Sequence, residues 1–415
     1  MKKLTLIICL TLVSGFAFSQ WIEQNHEFAN PQLQLNSIFF TDTSTGYIAS
    51  SKAIMKTIDG GETWNESFYG GFNSVFFTDA NTGFAVGGYG KIIKTIDGGE
   101  LWIELSSGTT STLISVYFTD SIAGFAVGYD FILKTIDGGE TWTSLSFENT
   151  IMLSSVYFAN ANNGCVVGCG TILKTIDGGI NWANINLSIG KHEDFYSVFF
   201  TDANTGYVVG GCSNQAGLGC HEQIIMKTID GGTTWLTLMN NPGSPFKLVF
   251  FTDAKTGYVV GDGDWDKGTN YYKHIILKTI DGGTTWDTLS HRSPGGLNSV
   301  FFTDANTGFA VGRNGTILKT TNGGGFPTAV ENVSLESTFT VYPNPATNKI
   351  SIATQSNLQG ETTICIFNMN GEILQQEKFQ SQSLIEMDVS VLAKGIYLLQ
   401  IQTKAGVENK KLVVQ

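Results

Sequence analysis

Three aspartates, Asp262, Asp264 and Asp266, stand on alternate positions in one short segment of the chain. Carboxylates at this spacing in a loop offer the oxygen ligands that a calcium ion requires. The segment is not an EF-hand, because its glycine is one place late and Lys273 stands where the bidentate glutamate belongs. We therefore expect either a calcium site at these three residues or a solvated acidic loop, and no other cofactor.

Aromatic side chains share this segment. Trp265, Tyr271 and Tyr272 have flat faces that could stack on a sugar ring, although they could equally pack the segment down. His274 completes this candidate ligand-binding set. A catalytic role for histidine is not indicated, because no histidine of the chain pairs with serine or cysteine in a recognisable catalytic motif. A lone histidine of this kind is usually a surface imidazole.

Cysteines mark a second insertion, Gly211–Glu222, which is rich in glycine and contains Cys212 and Cys220. We expect these two to form a disulfide, and closing so short a loop would stabilise the fold by roughly 2–3 kcal/mol. Cys165 and Cys169 are too far apart along a strand to bridge each other. Cys169 could instead meet a cysteine of the neighbouring repeat unit.

An internal repeat supplies the elements that must hold these segments. Each unit closes with Lys-Thr-Ile-Asp-Gly-Gly-x-Thr-Trp or a close variant, and seven units occur, which indicates an array of like supersecondary units. In one unit, runs rich in β-branched and aromatic residues at Ser74–Asp79, Phe84–Gly87, Lys91–Thr95 and Trp102–Leu105 alternate with turn residues. This pattern predicts a four-stranded antiparallel meander. Both insertions join the second and third strands of adjacent units, so we expect them to project from one face.

The two ends of the array are complementary. The seventh unit stops after Gly325 without a tryptophan strand, whereas Trp21-Ile22-Glu23 near the start resembles an orphan fourth strand. Pairing of these ends would remove exposed sheet edges. The sequence therefore predicts an all-β fold, a seven-bladed β-propeller over residues 20–326 that is closed by its N-terminal strand.

The repeated turn has a clear physical basis. Gly60 and Gly61 can adopt positive φ without a steric penalty, and the Asp59 carboxylate can accept backbone N–H groups across the turn. We expect Trp64 to bury its ring against the next blade. The aspartates to which we assign this structural role are Asp59, Asp97, Asp137, Asp177, Asp230 and Asp281.

This octet, Ser/Thr-x-Asp-x-Gly-x-Thr-Trp, resembles the Asp-box or BNR repeat. The longer unit, with its Phe-Phe-Thr-Asp and Gly-Phe-Ala-Val-Gly runs, is similar to propellers of the photosystem II assembly/stability factor type. The resemblance implies that the boxes lie at the blade periphery and are structural. Leu101 and Asn181 depart from it by replacing threonine, and Asn322 departs from it in a last box that lacks tryptophan.

The first residues have the features of an export signal. Lys2 and Lys3 precede an apolar run that ends in Ala17-Phe18-Ser19, which predicts a signal peptide over residues 1–19. Its removal moves the net charge from −12 to −14. So acidic a chain is not suited to nucleic acid or anionic membranes. The remaining odd number of cysteines leaves at least one free thiol or an intermolecular bond.

Beyond a linker at residues 327–337, residues 338–415 alternate like a small β-sandwich. The segment starts with Tyr342-Pro343-Asn344-Pro345, continues with Gly395-Ile396-Tyr397 and ends in Lys410-Lys411-Leu412-Val413. In this order, these motifs resemble the type A C-terminal sorting domain of the type IX secretion system (the Por secretion tail). The resemblance implies export through the periplasm to the outer cell surface or the medium, with the secretion machinery as a partner. We expect Cys365 to be a buried core thiol.

The sequence favours recognition over catalysis. A sialidase needs three arginines around its substrate's carboxylate, and this chain has only Arg292 and Arg313. We therefore expect a monomeric secreted or surface-bound binding or scaffold protein whose ligand is an extracellular glycan or protein. The alternative is a secreted glycoside hydrolase that uses paired loop carboxylates. The carboxylates available for it are Glu193, Asp194, Asp262 and Asp264.

Overall fold

The computed structural model divides into two compact units between Thr328 and Ala329. The predicted signal peptide and linker lie outside the residues that it describes. No helix in the described part of the chain is long and apolar enough to cross a membrane. The described residues are 21–24, 33–129, 131–146, 152–185, 187, 194–212, 222–266, 271–290, 295–325, 339–354, 361–368, 373–380, 382, 384–403 and 406–415.

The regular secondary structure described in the first unit consists of short strands and of 3-10 turns at Gly88–Gly90 and Arg313–Gly315. In chain order the strands are β1 Ile22–Glu23, β2 Leu35–Phe40, β3 Gly46–Ser50, β4 Ala53–Thr57, β5 Asn65–Tyr69, β6 Phe72–Phe77, β7 Gly83–Gly87, β8 Ile92–Thr95, β9 Ile103–Leu105, β10 Leu113–Phe118, β11 Gly124–Gly128, β12 Phe131–Thr135, β13 Thr143–Ser146, β14 Leu153–Phe158, β15 Gly164–Gly168, β16 Thr171–Thr175, β17 Ala183–Asn184, β18 Asp194–Phe200, β19 Gly206–Cys212, β20 Glu222–Thr228, β21 Leu236–Pro242, β22 Phe246–Phe251, β23 Gly257–Asp266, β24 Tyr271–Thr279, β25 Asp287–Ser290, β26 Leu297–Phe302, β27 Gly308–Gly312 and β28 Ile317–Thr320.

The described strands of this unit form seven four-stranded antiparallel sheets. Sheets 1 to 6 are consecutive meanders, from β2–β5 to β22–β25. Sheet 7 contains β26, β27 and β28, and its fourth strand is β1, where Ile22 pairs with Lys319 and Glu23 with Leu318. The all-β, propeller-like fold expected from the repeat is therefore confirmed.

Apolar cores lie between neighbouring sheets. In sheet 1, Trp64 is buried and meets Phe40 edge-on, with Phe309 of sheet 7 in the same cluster. The other repeat tryptophans likewise pack toward the preceding sheet, so our expectation that Trp64 packs on the next blade is wrong. The turn explains this direction, because a Cβ on Gly61 would lie 2.6 Å from the Phe309 ring. The Asp-box turn thus brings the indole against the sheet before its own.

Aromatic side chains on the first strands of the sheets form a continuous circle. Neighbouring ring centroids lie 5.0–5.5 Å apart, including 5.2 Å between Phe301 of sheet 7 and Phe39 of sheet 1. Tilted contacts at this separation are favourable for aromatic pairs. The members of the circle are Phe39, Phe76, Tyr117, Tyr157, Phe199, Phe250 and Phe301.

The second unit contains two sheets that share one apolar core. Asn344 of the proline-containing motif holds the last strand: its side-chain amide donates to the Lys411 carbonyl at 2.6 Å and accepts the Val413 N–H at 2.9 Å. Cys365 is buried, as expected. The strands are β29 Phe339–Tyr342, β30 Lys349–Thr354, β31 Glu361–Phe367, β32 Ile373–Gln380, β33 Leu384–Asp388, β34 Gly395–Thr403 and β35 Gly406–Val414, in the orders β29-β30-β33 and β32-β31-β34-β35.

Candidate functional site

The Asp-box carboxylates are occupied within their own turns. Asp59 accepts the hydroxyl of Thr57 at 2.8 Å, the backbone N–H of Thr63 at 2.9 Å and the hydroxyl of Thr63 at 2.6 Å. These bonds, led by that from the Thr63 side chain, lower the pKa of Asp59 to about 2. Gly60 and Gly61 have φ of 70° and 82°, as the turn requires.

Substituted boxes keep the turn with fewer bonds. Asn181 replaces threonine and still donates its side-chain amide to Asp177 at 2.8 Å, whereas Leu101 offers Asp97 only its backbone N–H, at 3.0 Å. In the last box, the neutral Asn322 accepts the Thr320 hydroxyl at 2.9 Å. The turn geometry therefore survives without the negative charge.

The insertion of sheet 6 is a hairpin arm rather than the loop that the sequence indicated. Strands β23 and β24 continue into it, with Asp262 paired with His274, Trp265 with Tyr272 and Asp266 with Tyr271. A bulge interrupts the ladder between Asp262 and Trp265. The predicted ligand side chains of Trp265, Tyr271 and Tyr272, and the calcium ligands Asp264 and Asp266, lie outside the described side chains, so both roles remain predictions.

Asp262 and His274 are buried at the base of this arm. Asp262 is 5% exposed, and Arg313 from sheet 7 donates to its Oδ2 at 3.1 Å. Its Oδ1 is buried without a hydrogen-bond partner. His274 is 2% exposed. For these two residues, the expected solvated acidic loop and surface imidazole are wrong, because the paired strands enclose them. Within the described residues, no group of three or more acids, histidines and cysteines could hold a metal.

The cysteines have three different environments. Cys212 is buried and disulfide-bonded. Its predicted partner Cys220 lies outside the described residues, so that pairing remains a prediction. Cys165 and Cys169 are both free, which excludes the disulfide to a neighbouring unit considered for Cys169. The Cys169 thiol donates to Asp194 Oδ1 at 2.7 Å, and burial, followed by this hydrogen bond, raises the pKa of Cys169 to about 11.

Two residues that the sequence analysis did not select complete this region. Lys247 is the second residue of β22, the first strand of sheet 6, and its Nζ lies 3.9 Å from the centroid of the Tyr196 ring in sheet 5. Both side chains are half-buried. Burial lowers the pKa of Lys247, and the nearby Asp262 opposes the shift. Burial, assisted by Asp194, raises the pKa of Tyr196 to about 12.

Comparison with the other sheets shows how these positions could have been found. Tyr196 and Lys247 stand where sheets 7, 1 and 2 have asparagines, each donating its amide to a backbone carbonyl of the following sheet, as Asn36 does to Phe72 at 2.8 Å. The next residue is serine in most units, and its hydroxyl accepts a backbone N–H of the following sheet, as between Ser197 and Val249 at 3.3 Å. Unit 6 has Leu248 instead. These departures from the repeat were the available signal.

We call these residues together the mouth cluster, since they lie at or near strand ends of sheets 4 to 7 and their charges influence one another. It combines two cations with two carboxylates, and one cation and one carboxylate are already paired with each other. Among the described residues, no carboxylate forms an ion pair with the half-buried Lys247. Such a cation favours the arrival of an anionic group. The members of the cluster are Cys169, Asp194, Tyr196, Lys247, Asp262 and Arg313.

Comparisons with known proteins agree with this architecture. Residues 340–415 match the secretion system C-terminal sorting domain. Together with the seven sheets of the first unit, this match places the chain in the class of exported, propeller-like repeat proteins. That domain indicates export by the type IX secretion system to the cell surface or the medium. The repeats match the photosynthesis system II assembly factor YCF48 over residues 68–152, 101–192 and 140–250. Both resemblances expected from the sequence are confirmed. No curated protein matches the chain.

Solved structures show the same fold. YCF48 bound to a D1 peptide aligns with a TM-score of 0.56 at 19% identity, covering 73% of this chain and 96% of its own. YCF48 from Cyanidioschyzon merolae gives 0.56 at 17% identity, with 72% and 98% covered. The WD40 β-propeller domain of Doa1 gives 0.54 at 12% identity, with 72% and 97% covered. At these identities the likeness concerns the fold alone.

Proposed function

We propose that this protein is a surface-presented or released binding module that recognises an acidic segment of another protein at its mouth cluster and catalyses no reaction. Its scaffold is a closed seven-bladed propeller, followed by a small sandwich that engages the secretion machinery. Closure is supported by the pairing of Ile22 with Lys319, by the aromatic contact of Phe301 with Phe39, and by Lys319, which donates to the Gly60 carbonyl at 2.9 Å.

The observation that carries the proposal is the state of Lys247. Its ammonium is half-buried, rests on the Tyr196 ring, and has no ion pair with a described carboxylate. Asp262 is the acid that raises the pKa of Lys247 most, but its carboxylate forms an ion pair with Arg313 instead. A carboxylate brought by a ligand would supply the missing counter-charge in a half-buried site, where a charge-assisted hydrogen bond is stronger than at the open surface.

A protein segment is the favoured ligand for two reasons. The similar YCF48 structure contains a bound peptide, and the first strands of sheets 5 and 6 place an aromatic face and a cation side by side, which suits an extended acidic segment. A monomeric propeller with one such mouth would bind one segment.

The hydrolase alternative is less well supported. Two of its carboxylates are already engaged, because Asp194 accepts the Cys169 thiol and Asp262 accepts Arg313. A paired-carboxylate mechanism needs one protonated and one ionised group facing the scissile bond. Glu193 lies outside the described residues, as does the side chain of Asp264.

The test is an array of random dodecapeptides probed with the purified protein. We expect peptides with Asp or Glu to be enriched and Lys247→Met to weaken their binding at least tenfold, whereas Lys247→Arg retains it. The matched control is Lys255→Met, which removes the same charge from an exposed turn beyond the opposite end of β22. Selection of peptides without acidic residues, or equal binding by Lys247→Met, would contradict the proposal.

A further inference from the structure

We propose a second recognition site, for a neutral polysaccharide, on the rim of sheets 2 and 3. It is a groove of about 570 Å³ between the 3-10 turn Gly88–Gly90 and the segment Glu104–Thr110. No member of the mouth cluster lines it. The site is therefore independent of the peptide site proposed above.

The first observation is the conformation of Tyr89. This residue has φ 57° and ψ 32°, in the left-handed region, and its side chain is 90% exposed. Residues other than glycine, asparagine and aspartate are disfavoured in that region. A bulky aromatic residue placed there with its ring in solvent gains nothing from packing.

Sheet 7 provides an internal comparison. Its turn Arg313–Gly315 has Asn314 at the same position, with φ 59° and ψ 23°. Both turns close with the same backbone hydrogen bond, Gly87 N–H to the Lys91 carbonyl and Gly312 N–H to the Thr316 carbonyl, each at 3.0 Å. The turn therefore does not require tyrosine. A strained residue that the turn does not need is a reason to look for a role in binding.

The opposite wall of the groove is fixed in place. A Cβ on Gly90 would lie 2.0 Å from the Thr109 carbonyl oxygen, so the turn and the segment are in direct contact. Ser107 is buried, and its hydroxyl both donates to the Thr109 carbonyl at 3.1 Å and accepts the Thr109 N–H at 3.3 Å. The groove is thus preformed, as small-ligand sites usually are.

The lining selects the ligand class. It offers the Tyr89 ring, the hydroxyls of Ser106, Thr109 and Thr110, the carboxylate of Glu104, and neither lysine nor arginine. Glu104 is the one charged residue of this lining, and its negative charge disfavours an anionic ligand. A neutral sugar can place its C–H face on the tyrosine and its hydroxyls against the Ser, Thr and Glu oxygens.

The neighbouring sheet 3 also has an exposed tyrosine between its second and third strands. Tyr129 follows Gly128 in the corresponding turn of sheet 3 and is 45% exposed. Tyrosine supplies rigid contact area at low entropic cost. Two such rings on neighbouring sheets suit a chain of several sugar residues better than a single monosaccharide.

Affinity gel electrophoresis of the purified protein tests this proposal with laminarin, mannan and dextran as neutral polysaccharides and alginate as an anionic one. We expect at least one neutral polysaccharide to retard the protein and alginate not to. Tyr89→Asn should weaken that retardation at least tenfold while leaving the melting temperature unchanged or raising it by about 1–2 °C. The control is Ile103→Ala on β9, an exposed residue outside the groove, which should retain full binding.

Four results would overturn the proposal. They are equal mobility in all three neutral gels, stronger retardation by alginate, and undiminished binding by Tyr89→Asn. The fourth is a fall of several degrees in the melting temperature of Tyr89→Asn, because the ring would then serve the fold and not a ligand. Peptide binding through Lys247 is measured separately, so failure of one site does not imply failure of the other.

Discussion

Replacement of Trp21 by alanine tests directly whether the N-terminal strand closes the ring. Trp21 is 9% exposed, and its indole meets Phe302 edge-on with 5.7 Å between ring centroids. Emptying a buried tryptophan site costs about 3–5 kcal/mol. Among the described residues 21–24, the backbone adds only the pairs of Ile22 and Glu23 and the hydrogen bond from Gln24 N–H to the Ile317 carbonyl, and Ile22 is exposed, so the Trp21 ring is the main apolar contact of this segment with sheet 7. We therefore expect Trp21→Ala to release β1 before the rest of the unit unfolds.

The assay combines guanidinium unfolding with amide hydrogen exchange. Trp21→Ala should lower the unfolding free energy by about 3–5 kcal/mol, and exchange at Gln24, whose N–H donates to the Ile317 carbonyl, and at Lys319 should accelerate roughly 100-fold or more through local opening. The matched control is Trp102→Ala in sheet 2, where the indole is 4% exposed and meets Phe77 edge-on at 5.9 Å. This control should lose similar global stability without selectively exposing the β1–β28 pair.

Two outcomes would refute the reasoning. A loss of less than about 1 kcal/mol in Trp21→Ala would mean that the indole is not buried as a core residue is. Unchanged exchange at Lys319 would mean that β28 does not depend on β1 for its protection. Either result would leave the array open at sheet 7.

Three further predictions concern other parts of the chain. The pKa of Asp59 is lowered from 3.8 to about 2 by hydrogen bonds, and those of most other Asp-box aspartates are lowered similarly; a lowered folded pKa gives stability that is present above about pH 4 and lost as pH falls through about 2, so calorimetry should show the melting temperature falling over that range, and a flat profile would contradict this. Asn344→Ala should destabilise the second unit by about 1–2 kcal/mol and speed amide exchange at Val413. Asn344→Asp keeps an oxygen that can accept the Val413 N–H, so it should not speed this exchange. Asp194→Asn should make Cys169 react faster with iodoacetamide, because the carboxylate helps to raise the pKa of Cys169; an unchanged rate would argue against the thiol–carboxylate bond.

The strands and turns could be predicted from the sequence because each is encoded locally. The turn of Asp59, Gly60 and Gly61 requires positive φ and an acceptor, and both follow from the residue types. The direction in which Trp64 packs could not be predicted, since a repeat period does not say which neighbouring sheet a side chain faces. That direction depends on the close approach of Gly61 to Phe309, more than 240 residues away in the chain.

The burial of Asp262 and His274 was missed for a different reason. A polar, glycine-containing stretch was interpreted as a loop, but its two arms continue the strands of sheet 6 and pair across them. Pairing buries the base of the arm. A buried carboxylate is costly without a counter-charge, and Arg313 from the next sheet supplies one to Asp262. Burial in this case follows from tertiary pairing, which no local pattern of hydrophobicity reports.

In a repeat protein, a candidate functional position is easiest to recognise where one unit lacks a contact that the other units make. Serine in the first strand of six sheets accepts a backbone N–H of the following sheet, and sheet 6 has Leu248 in its place. The preceding residue is an asparagine that also binds the following sheet in sheets 7, 1 and 2, and it is Lys247 in sheet 6. The junction of sheets 6 and 7 thereby lacks the serine hydrogen bond that the other six junctions have, and such a bond typically contributes about 0.5–1.5 kcal/mol. A sequence that gives up this stability at one junction while retaining it at others has a reason there other than folding. Recognition of an anionic ligand by Lys247 is that reason in the function proposed here.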